Sequence, residues 1–232
     1  MPTAVQLANA AFVNPLFKPL PVVPGLLAWS YWGTSLAASQ NVIAAGGAYS
    51  NYAAGPGPTW SSNYGRCVSG QNQLQSAFSS QAPGQTCLCV GRWVSGGTGG
   101  AVAAIMSGSS MQPSFVAAGA SVQMALTGIA QPTPVTLATP TTAFKFYAFQ
   151  GGSGNAGFIY DLTGNVNNTG GVAGNVTING TNNVIGGGVP GSNNQICDIA
   201  FLAHYNSFIS KANIDLIYAH VKDVMTTRGI TI

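Results

Sequence analysis

Four aspartates, Asp161, Asp198, Asp215 and Asp223, carry all the side-chain carboxylates of this 232-residue chain, and no glutamate occurs. Hydrolysis of a glycosidic bond usually takes two carboxylates flanking that bond. Asp215 and Asp223 fall on a predicted terminal helix, Asp198 lies in an apolar strand, and Asp161 follows an aromatic one. No close pair is evident, so no catalytic residues and no hydrolase activity are expected. Calcium takes six to eight hard oxygens, and no two Asp share a loop. No metal site and no cofactor are expected. His204 reads as a strand residue near the helix and His220 as an exposed helix residue.

Four cysteines allow three pairings. Cys87 and Cys89 lie two apart in a predicted strand and share a face, where a bridge would distort the strand. Their spacing is also too tight for the usual C-x2-4-C zinc pair. Cys67 and Cys197 stand alone in strand-like contexts. All four are expected as buried free thiols. The stretch Gly152-Ser153-Gly154-Asn155-Ala156-Gly157 matches G-x-G-x-x-G, but a dinucleotide site needs a helix next. Phe158 to Leu162 reads as a strand, so a glycine-rich hairpin loop is expected instead.

Tyr49, Tyr52, Trp60 and Tyr64 cluster among Gly, Pro, Ser and Asn. Aromatic faces can stack on sugar C–H faces, with Asn and Ser bonding the hydroxyls. These four are the candidate carbohydrate-binding residues. The alternative is that the rings cover a sheet edge or a subunit interface, where aromatics are also enriched. Three N-x-T sequons, at Asn167, Asn175 and Asn179, read as chance matches in an Asn- and Thr-rich chain.

These residues must be held by a scaffold, and composition bounds it. Charged residues make up 5% of the chain and hydrophobic ones 46%, with a net charge of +3. Low charge favours association. The seven basic residues form no run, so no nucleic-acid groove is expected. No apolar stretch is long enough to span a bilayer, and no signal peptide is evident. Residues 1–24 hold Pro2, Pro15, Pro19, Pro21 and Pro24 among apolar side chains. They read as an extended arm whose Phe12, Val13, Leu16, Phe17 and Leu20 need a surface to lie on, either their own domain or a neighbour.

From residue 25 to 232, short apolar runs alternate with Gly, Ser, Asn and Pro, which predicts one all-β domain, an antiparallel β-sandwich. Strands are expected at residues 26–31, 85–95, 102–106, 114–118, 121–127, 134–138, 142–150, 157–162, 175–179, 196–205 and 229–232. Residues 165–191 are rich in Asn and Gly and read as partly loop. One C-terminal helix is expected over residues 211–227. Ser210 caps it, Ile214, Ile217, Tyr218, Val221, Val224 and Met225 form its apolar face, and Gly229 ends it.

The run from Asp198 to Tyr218 resembles the closing segment of concanavalin A-like lectin domains of the laminin-G type. Gly25 to Gly33 is similar to the first strand of such domains, and Thr86 to Val94 and Phe158 to Asn165 fit the pattern loosely. The acid-rich Glu-x-Asp-x-x-Glu strand of lectin-fold glucanases has no counterpart. With its low charge and Gly/Ser/Thr/Asn-rich loops, the chain looks similar to phage tail-fibre and receptor-binding proteins. That resemblance implies a concanavalin A-like jelly roll and non-enzymatic attachment to host bacterial surface carbohydrate. It also implies a homotrimer, contact with other virion tail proteins, and a place in the virion tail after synthesis in the host cytoplasm. A purely structural tail or baseplate protein is the alternative, followed by a polysaccharide-degrading enzyme.

Overall fold

The computed structural model describes residues 19–43, 46–52, 55–68, 71–79, 84–95, 114–118, 121–125, 135–139, 142–151, 156–172, 182–186 and 196–232. Every strand pairing among them is antiparallel. The strands are β1 (Leu26–Tyr31), β2 (Ser50–Asn51), β3 (Thr59–Trp60), β4 (Gly65–Val68), β5 (Leu74–Ser79), β6 (Gln85–Ser95) and β7 (Ser114–Ala118). They continue with β8 (Ser121–Ala125), β9 (Val135–Ala138), β10 (Lys145–Gly151), β11 (Ala156–Asp161), β12 (Val166–Val172), β13 (Asn182–Ile185) and β14 (Ile196–Tyr205). One helix follows, α1 (Lys211–Thr227).

The main sheet runs β12-β11-β10-β6-β14-β4-β3, with β1 also paired to β14. β14 is the axis of the domain: β6 lies along one side, and β4 and then β1 share the other. Its side chains are buried on both faces, which explains its nearly unbroken apolar run. Two smaller sheets, β13-β5-β2 and β7-β8-β9, complete the sandwich.

Alternation along the strands sorts side chains into two cores. Cys87, Cys89, Tyr147, Phe149, Ile159, Cys197, Ile199 and Leu202 face the sandwich interior with Leu74 of β5 and Ile185 of β13. Leu88, Val90, Phe146, Phe201 and Ala203 point the other way, where α1 lays Ile214, Ile217, Val221, Val224 and Met225 on them. Each such buried side chain contributes on the order of 2 kcal/mol. The helix therefore covers the outer face of the main sheet and makes a third layer.

Local signals place α1. Ser210 is extended and its hydroxyl accepts from the Asn213 amide at 3.2 Å. Gly229, at φ +74°, makes the left-handed turn that ends the helix. Arg228 Nη1 donates to the Ala200 carbonyl at 3.2 Å and Nη2 to that of Trp32, which ties the helix end to β14 and to the residue that follows β1. Burial lowers the Arg228 pKa to about 10.

Two expectations change. Gly229 to Ile232 is not a strand, since Ile230 and Ile232 are buried in the helix-side core without ladder partners. His220 is buried rather than exposed. Within the Asn/Gly-rich stretch read as partly loop, the described residues include β12 and β13. Of the arm's described residues, Leu20 and Val22 are buried in the helix-side core of the domain, while Pro19 and Pro21 are exposed. Tyr205 Oη donates to the Val22 carbonyl at 2.9 Å. Phe12, Val13, Leu16 and Phe17 lie outside the described residues, as do the expected strands at 102–106 and 175–179.

Candidate functional site

The aromatic cluster of the sequence is divided by the fold. Gln40 pairs its side-chain amide with both backbone groups of Tyr49, at 2.7 and 3.0 Å, as a strand partner would. The ring is 3% exposed in the sandwich core. Tyr49 therefore offers no stacking face, which corrects its assignment as a sugar contact. Tyr52 is half-buried. Trp60 packs on Trp32, with ring centres 5.7 Å apart, against the sandwich core. Tyr64 joins the helix-side cluster instead. Trp60 and Tyr64 thus serve opposite faces of the main sheet and do not act together.

Tyr64 is placed by the turn joining β3 to β4. The Ser61 hydroxyl accepts from the Asn63 and Tyr64 amides, at 3.2 and 3.1 Å, and the Ser61 amide donates to the Tyr64 carbonyl at 2.9 Å. Gly65 then begins β4, where a Cβ would collide with the Trp32 and Trp60 rings. The next residue, Arg66, sits opposite Asp198 of β14, and Asp198 sits opposite Arg92 of β6. Three adjacent strands so carry the row Arg66–Asp198–Arg92. Asp198 alternates with Cys197 and Ile199 of the sandwich core, so the row lies on the helix-bearing face.

The Asp198 side chain is fully buried, while those of Arg66 and Arg92 are 38% and 31% exposed. Arg66 donates through Nε to Oδ1 at 2.7 Å and through Nη2 to Oδ2 at 3.0 Å. Arg92 donates through Nε to Oδ2 at 2.8 Å, with its Nη2 also 2.8 Å from that oxygen. The bond to Asp198 raises the Arg66 pKa. The Arg92 guanidinium carbon lies 4.6 Å from the Phe144 ring centre and 5.5 Å from that of Tyr64. Arg66 lies 6.0 Å from the Tyr64 ring, and the two rings are 5.6 Å apart. A carboxylate and two aromatic faces thus hold both guanidiniums in place.

The other carboxylates have separate duties. Asp161 accepts from Lys145 Nζ at 2.6 Å, Thr139 Oγ1 at 2.7 Å and the Gly164 amide at 2.7 Å. It closes the turn between β11 and β12. Asp161 sits opposite Tyr147, so it faces the sandwich core, on the other side of the sheet from Asp198. β10 and β6 separate their strands, a gap of roughly 14 Å at about 4.8 Å per strand. Asp215 pairs with Lys211 on the exposed side of α1 at 2.5 Å. Among the described residues, no group of three or more His, Cys, Asp or Glu side chains is placed to hold a metal ion. No helix there is long and apolar enough to cross a membrane.

All four cysteines are buried and free, and burial raises the pKa values of Cys67, Cys87 and Cys89. The glycine-rich match lies between β10 and β11, which pair as a hairpin, and no helix follows it. Sequence reasoning missed Arg66, Arg92 and Phe144. The available signal was Asp198 itself, a charge within an apolar strand that requires a partner.

Sequence comparison matches the chain to no known protein family and to no curated protein. Fold comparison does find neighbours. The receptor binding domain of botulinum neurotoxin D aligns at TM-score 0.58 and 9% identity over 87% of this chain and 53% of that one. The binding domain of botulinum neurotoxin DC, in complex with SialylT, aligns at TM-score 0.61 and 10% identity over 84% and 51%. Trypanosoma rangeli sialidase in complex with sialic acid aligns at TM-score 0.60 and 13% identity, over 96% of this chain and 38% of the enzyme. The chain spans about half the length of the toxin domains. At these identities the likeness establishes a shared lectin-like β-sandwich fold.

Proposed function

We propose that this chain is a non-enzymatic attachment module, the receptor-binding or tail-fibre protein of a phage, which holds host bacterial surface carbohydrate. One observation carries the carbohydrate reading: the Tyr64–Phe144 ring pair with Arg66 and Arg92, partly open on the helix-bearing face. Rings with fixed hydrogen-bond donors suit a sugar, which presents apolar C–H faces and polar edges. The fold neighbours support the class, since one is a binding domain in complex with SialylT and another a sialidase in complex with sialic acid.

The non-enzymatic part rests on the carboxylates. Asp161 and Asp198 are each enclosed in an ion pair and face opposite sides of the sheet, farther apart than the roughly 5–9.5 Å that hydrolases working with two carboxylates use. The phage assignment rests on the sequence resemblance, and with it the homotrimer, the virion tail location and the contact with other tail proteins.

A purely structural virion protein is the second reading. The low charge of the chain, 5% of its residues, favours it, because a surface poor in charge associates readily. Screening the purified protein against host capsule and lipopolysaccharide separates these readings. Retention of the intact polymer supports attachment, no retention supports the structural role, and released oligosaccharide supports an enzyme.

A further inference from the structure

We infer that the sugar taken by this patch is acidic, and that Arg66 and Arg92 together bind its carboxylate. The inference rests on the carbohydrate reading above and adds the ligand's charge.

The charges at the site do not balance. Two guanidiniums meet one carboxylate, which leaves one positive charge. A single arginine neutralises a buried aspartate, so the second is not needed to keep Asp198 in the fold. Its presence is informative in a chain with only seven basic residues. No acidic neighbour absorbs the surplus among the described carboxylates. Asp161 lies on the other face with Lys145, and Asp215 pairs with Lys211 on the helix. Asp223, also on the helix, forms no ion pair with either arginine.

Donor capacity is left over as well. An arginine carries five N–H donors; Arg66 directs two at Asp198, and Arg92 one, with its Nη2 in ion-pair contact with the same carboxylate. Among the described residues at least three donors on each meet no other acceptor, on side chains that are about one-third exposed. Guanidinium edges match a planar carboxylate in bidentate fashion, whereas an ammonium acts as a point charge. The fixed carboxylate and the flanking rings have already restricted both side chains, so binding costs little further ordering. The rings also limit water around the charge, which strengthens an ionic contact. A sugar carrying a carboxylate, such as a uronic or sialic acid, supplies the missing negative charge together with apolar faces for Tyr64 and Phe144.

The test compares the full chain with R92Q, R66Q and K222A. Each arginine variant leaves the other arginine on Asp198, so the buried carboxylate stays paired. K222A removes the same unit of charge from the exposed side of the helix. The probes are glucuronate, N-acetylneuraminate, galactose and inorganic phosphate, followed by the arginine Nε–H resonances, and an array of acidic and neutral bacterial glycans. Expected are shifts of the Arg66 and Arg92 resonances with the two acidic sugars and not with galactose. Array binding to acidic glycans should weaken about tenfold or more in R92Q and R66Q, the scale of a lost charge-assisted bond. It should be unchanged in K222A and fall with added salt. Equal binding of neutral glycans, unchanged binding by both arginine variants, or phosphate acting as well as the sugars overturns the acidic-sugar assignment and leaves carbohydrate binding standing. No binding to any glycan overturns both.

Discussion

Arg66 of β4 and Arg92 of β6 reach the same carboxylate, that of Asp198, from the two strands flanking β14. The arrangement is redundant for stability. Losing either arginine leaves Asp198 paired, whereas losing both strands a charge inside the protein.

Stability should therefore respond non-additively. R66Q and R92Q are each expected to cost about 1 kcal/mol, as for a lost hydrogen bond to a charged group that keeps another partner. The double variant should cost about 3–5 kcal/mol, the scale of an uncompensated buried charge. Urea denaturation of the four proteins checks this. A double variant equal to the sum of the singles would contradict shared support.

His204 should govern acid sensitivity. It is fully buried in the sandwich interior, with its ring centre 5.0 Å from that of Phe78. Burial lowers its pKa from 6.5 to about 3. Between those values the unfolded chain takes up a proton that the folded chain refuses. The contribution to stability is whole above about pH 6.5 and is lost by about 1.4 kcal/mol per unit as pH falls toward 3. H204L removes this dependence. Its stability should decline less than the parent's between pH 7 and 4.5, and parallel declines would assign the acid sensitivity to other groups.

The Ser210 cap gives a simpler test. S210A leaves the Asn213 amide without its acceptor and should cost about 1 kcal/mol in thermal or chemical denaturation. S210D, which restores an acceptor beside the positive end of the helix, should recover most of the loss. No loss in S210A would mean that packing alone sets the start of α1.

These cases show which parts of the molecule were legible in the sequence. Ser210, the spacing of Ile214, Ile217, Val221 and Val224, and Gly229 are local signals, and they set the helix. β1, β6 and β14 were equally clear because their apolar runs are long. β2, β3, β5, β12 and β13 were missed, and β4 was read only as a strand-like context around Cys67, because they are short or rich in Gly, Asn and Ser, and only neighbouring strands make them strands. The site was less legible. Tyr64 stood among the candidates, but Tyr49 looked equivalent until Gln40 fixed its backbone and the core enclosed its ring. Arg66 and Arg92 meet only through the register of β4, β14 and β6, a long-range fact that spacing does not carry. Asp198 alone hinted at them.

Assembly is part of the proposal, motivated by the low charge and the apolar residues of the arm. The full chain is expected to be a trimer by light scattering at micromolar concentration. Because Leu20 and Val22 belong to the domain's own core, the truncation that tests the arm should begin at Pro19. Loss of the trimer in that shorter chain would identify residues 1–18 as the clamp, and its persistence would place the contact on the domain itself. A monomeric full chain would contradict the assembly proposal.

Attachment without cleavage is the central claim, and one measurement addresses it most directly. The purified full chain is incubated with host surface polysaccharide, and both the bound fraction and the polymer's length distribution are followed over time. The account predicts saturable retention with an unchanged length distribution, weakened in R92Q. Shortening of the polymer, or no retention at any concentration, would contradict it.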